Sequence, residues 1–168
     1  MISKLPEIER LQANRDIKRL IAVLKFESNW EARAAAAAAL GELADQLVEE
    51  DRRLQVVTAL RMAIKDTDIG VASTAVAAII QVADADTAAV FLIEALEDGN
   101  WKVRLAASEA LKDIYHHGKL SKETKQQLLA LEGRVIVPRE RTWKTFLLPG
   151  EDEGDSYLQE RPEVRFRL

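Results

Sequence analysis

The sequence predicts an all-α fold, a right-handed α-solenoid of about three to four helix-pair repeats, followed by an irregular C-terminal extension. Three observations support this prediction. The 168 residues include 25 alanines but only 7 glycines and 4 prolines, which is typical of helices packed through small side chains. Apolar residues recur with helical spacing in several stretches. Three of these stretches align with one another, which indicates an internal repeat.

Each repeat is predicted to contain a helix A, a short turn and a helix B. The B segments begin at Trp30, Ile69 and Trp101. Asp, Asn and Ser side chains in the preceding turns can accept hydrogen bonds from the free N–H groups that open each helix B. The predicted A helices cover residues 16–26, 53–65 and 87–97, a capping helix covers 5–13, and a fourth helix covers 121–131.

Every B segment has one fully apolar face. Positions at offsets 2, 6, 9, 10 and 13 from the first residue share a face at 100° per residue. All of them are apolar, so we expect them to form one continuous core in which alanines permit close helix approach. These residues are Ala32, Ala36, Ala39, Leu40 and Leu43, then Val71, Ala75, Ala78, Ile79 and Val82, then Val103, Ala107, Ala110, Leu111 and Ile114.

A second region, residues 132–168, differs in kind from the solenoid predicted for residues 1–131. It holds three of the four prolines and shows no helical period. Its apolar cluster at 143–148 needs a surface to pack on, because an isolated hairpin is only marginally stable in water. Two surfaces could receive this cluster, the small-residue face of the same solenoid or another chain. We expect it to dock on its own solenoid and the terminus beyond it to stay exposed. Segments 134–137 and 143–148 are compatible with short strands joined by a turn, and 164–168 alternates with period two like a further strand.

A short motif recurs in the B segments. Val103-Arg104, Ala106-Ala107 and Ala110-Leu111 of the third repeat correspond to Ala32-Arg33, Ala35-Ala36 and Ala39-Leu40 of the first. Over residues 16–131 the pattern resembles HEAT-like repeats of the short bacterial type named after phycobilisome lyases. The resemblance implies that the B helices line a concave surface. It also implies an Asp–Arg ladder between repeats, which Ala72 interrupts because the family usually places Arg at that position.

Composition excludes several classes of function. The absence of cysteine excludes disulfides, Cys-ligated zinc and thiol catalysis. Apolar runs fall short of the roughly 18 residues that a membrane helix needs, and acidic residues near Met1 argue against a signal peptide, so we expect a cytoplasmic protein. A net charge of −4 argues against nonspecific binding to nucleic acid or to anionic membranes. We expect no cofactor and no metal.

Few residues suggest chemistry. His116 and His117 are adjacent, whereas chelation on a helix requires a spacing of three or four residues, so we interpret them as helix-end histidines. Two alternatives stay open through the repeat type. One is an accessory subunit of a bilin lyase or bilin-removing protein. The other is a HEAT-like DNA glycosylase, which would need a basic, aromatic concave surface that this Ala-rich face does not provide.

The sequence therefore predicts a non-enzymatic protein-interaction or scaffold module. Its B helices carry small or apolar residues opposite the core face, where a solvated helix normally carries Lys, Glu or Gln. The tail adds exposed aromatic and aliphatic residues, and its last five residues alternate like a strand that could pair with a partner's sheet or with a second copy. The predicted partner-binding residues are Ala34, Ala38, Ala77, Ile80 and Leu105 of the helices and Trp143, Phe146, Leu147, Val164 and Phe166 of the tail.

Overall fold

The computed structural model describes residues 5–98, 100–132, 135–136 and 164–166. Within these ranges the chain forms eight α-helices, one short 3-10 helix at Ala44–Gln46 and two very short strands. The elements are α1 (Leu5–Ala13), α2 (Ile17–Phe26), α3 (Trp30–Glu42), α4 (Glu50–Ala63), α5 (Ile69–Val82), α6 (Ala85–Ala95), α7 (Trp101–His117), α8 (Lys122–Leu131), β1 (Val135–Ile136) and β2 (Val164–Arg165).

The helices form two layers. The B layer holds α1, α3, α5 and α7, each of which contacts the next, and its most extensive interface joins α3 to α5. The A layer holds α2, α4, α6 and α8. Helix pairs α2/α3, α4/α5 and α6/α7 connect the layers, as the predicted alternation of A and B helices requires. The arrangement is that of an α-solenoid, with α1 packed against both α2 and α3 at its N-terminal end.

The predicted helix caps are confirmed. Asn29 accepts a hydrogen bond from the Ala32 amide at 3.2 Å, and Asn100 accepts one from Lys102 at 3.0 Å. Asp68 accepts one from the Gly70 amide at 2.8 Å. These side chains satisfy N–H groups that have no partner inside the helix, so the polar turns fix where each B helix begins. The A-layer helices α2, α6 and α8 are capped in the same way by Asp16, Asp84 and Ser121.

All the residues assigned to the core face of the B helices are buried, so that prediction is also confirmed. Leu40, Ile79 and Leu111 are fully enclosed in one continuous core. Small residues bring α3 and α5 close together: a Cβ added to Gly41 would lie 3.1 Å from Cα of Ala78. The alanine-rich composition therefore serves the stacking of neighbouring B helices.

Helix boundaries differ from the sequence prediction at two A helices. Helix α4 begins at Glu50 rather than at residue 53, and α6 begins at Ala85 rather than at residue 87. In both cases acidic residues occupy the first turn, where they interact favourably with the helix dipole. Residues 84–86, whose two aspartates are typical of a turn between helices, instead form the cap and the first turn of α6.

The C-terminal region returns to the solenoid. Strand β2 pairs antiparallel with β1, with Val135 opposite Arg165 and Ile136 opposite Val164, and it contacts α7. The side chain of Phe166 is completely buried in the same core as the helices. The expectation that the terminus stays exposed is therefore wrong at this residue. A strand-like alternation indicates one apolar face, and Phe166, which belongs to that face, is covered by this chain's own helices.

The predicted division into a solenoid at 1–131 and a tail at 132–168 stays a prediction. The cluster at 143–148 lies outside the described residues, so its expected docking also stays a prediction. What the structure adds is one residue of the tail, Phe166, within the solenoid's core. The tail thus contributes to packing at one point at least.

One ion pair joins the first helix pair to the second. Arg33 of α3 donates two hydrogen bonds to Asp66, at 2.9 and 2.8 Å, and two more to the carbonyls of Glu27 and Ser28. Both charged side chains are only 14% exposed, and the bidentate geometry fixes their orientation. The arginine therefore holds the turn before α3 against the turn before α5.

The equivalent positions in later repeats behave as the sequence predicts. Arg104 is buried and donates to the Asp98 carbonyl at 3.0 Å, so it holds the turn before α7. Ala72, which aligns with these arginines, is fully buried and has no side-chain donor. The interpretation of Arg33 and Arg104 as structural residues agrees with these contacts.

The Arg33–Asp66 pair makes stability depend on pH. Burial raises the pKa of Asp66, but the hydrogen bond from Arg33, the Asp68 amide and the charge of Arg33 together bring it below its ordinary value. A carboxyl group whose pKa is lowered in the folded state stabilises the fold at pH values above its unfolded pKa, about 3.9. That contribution is lost as the pH falls through the folded pKa. We expect Asp66→Asn to lower the free energy of unfolding by about 1–3 kcal/mol at pH 7.

The difference between wild type and Asp66→Asn should shrink as the pH falls from about 4 towards 2, because wild-type Asp66 then becomes neutral as well. Urea titrations at several pH values measure this. The control is Asp45→Asn, the same chemical change at an exposed position. A difference at Asp66 that does not depend on pH would mean that the ion pair does not form in solution.

Candidate interaction surface

Five residues of the B layer were predicted to line a partner-binding surface, which we call the B-helix face: Ala34, Ala38, Ala77, Ile80 and Leu105. The structure places them on α3, α5 and α7, which are successive neighbours in the layer. Ala77 and Leu105 are exposed, and Leu105 retains 40% of its accessible surface. Ala34, Ala38 and Ile80 are half-buried, and Ala34 and Ile80 also pack against the core.

The middle of the B-helix face is uncharged over a whole helix. Residues 69–82, which form α5, include no Asp, Glu, Lys or Arg. Ser73 and Thr74 donate to carbonyls of their own helix, at 2.6 and 2.7 Å, so their hydroxyl groups are already engaged. A surface of this kind forms few hydrogen bonds with water, so its desolvation cost is low when another molecule covers it.

The tail residues of the predicted site fall into two groups. Trp143, Phe146 and Leu147 lie outside the described residues, so their role stays a prediction. Val164 lies in β2, paired with Ile136. Phe166 is buried, so it is not available to a partner in this conformation.

Residues 67–100 include acidic side chains but no Lys or Arg, a pattern compatible with binding a basic partner. Four of these carboxylates make structural contacts. Asp68 and Asp84 cap helices. Asp86 accepts hydrogen bonds from the amide and the hydroxyl of Ser121, both at 3.0 Å. Glu94 pairs with Arg61 at 2.9 Å, which joins α4 to α6. Asp86 and Glu94 thus join neighbouring helices of the A layer, whereas Asp68 and Asp84 fix where α5 and α6 begin.

Two of these carboxyl groups are held in the charged form. The Thr87 amide lowers the pKa of Asp84, and the Thr124 hydroxyl with the Ser121 amide lowers the pKa of Asp86. In both cases hydrogen bonding to the charged form is the main cause. Their contacts lie at helix ends, as expected for structural carboxylates rather than catalytic ones.

The two histidines do not form a chelating pair. His117 Nδ1 lies 3.0 Å from Asp113 Oδ1, one turn back on α7, whereas the His116 ring meets Tyr115 edge-on. Across the described ranges, no group of three or more His, Cys, Asp or Glu side chains is placed to hold a metal ion. The interpretation of His116 and His117 as helix-end residues agrees with this geometry.

Trp30 packs at the start of its repeat, against the first turn of α5. A Cβ added to Gly70 would lie 3.1 Å from Cζ3 of the indole ring, so the ring lies directly over the first turn of α5. Trp30 remains 48% exposed. Its counterpart Trp101 is half-buried, and the amino group of Lys102 lies 5.8 Å from its ring centre.

Sequence reasoning missed a groove in the A layer. It lies between α2 and α4, has a volume of about 400 Å³, and is lined by Lys18, Ile21, Lys25, Leu54, Gln55 and Thr58. The available signal was Leu54, an apolar residue that departs from the polar surface expected of solvent-facing helix positions. Single exposed apolar residues are common, however, and only the packing of α2 beside α4 brings this set together.

Comparison with known proteins agrees with the architecture. A family model for HEAT repeats matches residues 17–112, which is more than half of the chain. No curated protein and no solved structure matches it. Among the described helices, none is long and apolar enough to cross a membrane. The two-layered stack of helix pairs and the matched repeats together show that this chain belongs to the HEAT repeat family.

Proposed function

We propose that this protein is a non-enzymatic interaction module that binds another protein through the B-helix face. HEAT repeats commonly serve as protein-interaction scaffolds. The main support for the proposal is that helix α5 is uncharged and presents exposed Ala77 at the centre of the B layer. An interface core is depleted in charged residues, and this face already has that composition.

The finer features of the fold belong to the same proposal. A right-handed stack of about three to four repeats would make the B-helix face concave, so that several helices contact one partner together. The proposal also assigns the chain to the short phycobilisome-lyase-type subclass. It further assigns a cytoplasmic location, which suits a cysteine-free chain. The tail residues Trp143, Phe146 and Leu147 are proposed as additional contacts, in cis or through a second copy.

Site-specific photo-crosslinking tests the B-helix face. A photoreactive phenylalanine analogue at position 77 should give a discrete crosslinked product in an extract of the native host, whereas the same analogue at exposed position 129 on α8 should not. The captured protein is then purified and its binding measured directly. Ala77→Lys should abolish that binding and change the free energy of unfolding by less than about 0.5 kcal/mol, as surface substitutions do.

Two outcomes would contradict the proposal. Equal crosslinking from positions 77 and 129 would indicate nonspecific contact. Undiminished binding by Ala77→Lys would place the interface elsewhere.

The alternatives from the sequence, a bilin lyase accessory subunit and a DNA glycosylase, stay predictions. An absorbance titration with bilin tests the first, and a measurement of DNA binding in solution tests the second.

A further inference from the structure

The groove between α2 and α4 lies in the A layer, so it is a different surface from the B-helix face. Its lining residues on α2 are Lys18, Ile21 and Lys25, spaced by three and four residues, and therefore lie on one side of that helix. Leu54 and Thr58 are likewise one turn apart on α4. The groove thus runs along α2 for about two turns, or roughly 10 Å, and along α4 for about one turn.

The groove combines an apolar surface with positive charge. Ile21 is half-buried and packs against the core, whereas Leu54 on the opposite wall is 61% exposed. Lys18 and Lys25 are both exposed, and neither has an ion-pair partner among the described residues. No acidic side chain lines the groove. It is therefore locally cationic in a protein with a net charge of −4.

The neighbouring arginines show a different arrangement. Arg19 pairs with Asp16 at 3.4 Å, and Arg52 pairs with Glu49 at 3.0 Å. Arg61, near the C-terminal end of α4, pairs with Glu94. Each of these arginines has an acidic partner, whereas Lys18 and Lys25 have none among the described residues, so the two lysines are the positive charges that line the groove.

We propose that this groove binds an acidic amphipathic helical segment of another protein. Apolar side chains of the segment would pack between Ile21 and Leu54, and its carboxylates would face Lys18 and Lys25. A groove of two turns fits the helix-in-groove mode, in which apolar anchors recur at every third or fourth residue. Charge selects this occupant over a second copy, because a symmetric dimer through the groove would bring four lysines together.

A synthetic peptide tests the proposal. The probe is a fluorescein-labelled 14-residue peptide with leucine at every third or fourth position and glutamate elsewhere, and its control has lysine in place of glutamate. Fluorescence anisotropy with the full chain should show binding of the glutamate peptide only, weakening as salt rises. Lys18→Glu with Lys25→Glu should reduce the affinity by at least about tenfold. Leu54→Ala should weaken it as well.

The matched control is Lys112→Glu with Lys125→Glu, which makes the same change in net charge at exposed positions on α7 and α8. It should leave the affinity unchanged, as should Ala77→Lys on the B-helix face. Thermal melts establish that each variant is folded. Equal loss of binding in both lysine pairs, binding of the lysine peptide, or no binding by the full chain would overturn the proposal. Self-association abolished by Lys18→Glu would also overturn it, because a second copy would then occupy the groove.

Discussion

Replacing Phe166 by alanine is expected to lower the free energy of unfolding by about 3–5 kcal/mol, as truncation of a buried phenylalanine does. The side chain is completely buried among residues of the helical core, beside a strand that contacts α7. Removing the ring loses the free energy gained by transferring it out of water, and it leaves a cavity. The paired strands are only two residues long, so their rearrangement is too small to fill that cavity. Urea or thermal denaturation of the full chain measures the loss.

Phe26→Ala is the matched control, because Phe26 is 83% exposed on α2. It should change stability by less than about 0.5 kcal/mol. Identical melting of Phe166→Ala and wild type would show that the C-terminal strand does not pack on α7 in solution. The C-terminal strand would then be exposed and available to a partner, as predicted from the sequence.

The second large effect is expected at the centre of the stack. Ile79→Ala should cost about 2–5 kcal/mol, because Ile79 is a completely buried residue of α5 within the continuous core. The same substitution at the next residue, Ile80→Ala, should cost much less, because Ile80 is only half-buried. Chemical denaturation compares the two variants directly.

Equal destabilisation by Ile79→Ala and Ile80→Ala would contradict the assignment of the core face of α5. Adjacent helical residues point about 100° apart, so a rotated helix would reverse or equalise the two effects. The pair of variants thus measures helix orientation, which a single core mutation cannot do.

The sequence was sufficient for features that depend on local spacing. Leu40, Ile79 and Leu111 could be assigned to the core because apolar residues recur at helical intervals in each B segment. Asn29 and Asp68 could be assigned as caps because short polar side chains satisfy the N–H groups that open a helix. Both inferences use only residues within a few positions of one another.

Features that depend on distant residues could not be predicted in the same way. The apolar side of the C-terminal strand was visible, but the sequence does not say which surface covers Phe166. The groove likewise requires the relative positions of α2 and α4, which are set by packing rather than by periodicity. For the B-helix face, the residue types suggested Ala77 and Leu105, and only the structure shows that these remain exposed while Ile80 is half-buried.

The burial of Phe166 has a consequence for the order of events during protein synthesis. Residue 166 follows all the helices of its core in the chain, and residues 137–163 separate the two paired strands. Ribosomes release a chain from its N-terminus at about 5–20 residues per second, so the helices emerge first and can pack before Phe166 is available. For several seconds a nascent chain would carry an uncovered apolar patch beside α7, and this interval is when a chaperone could recognise it.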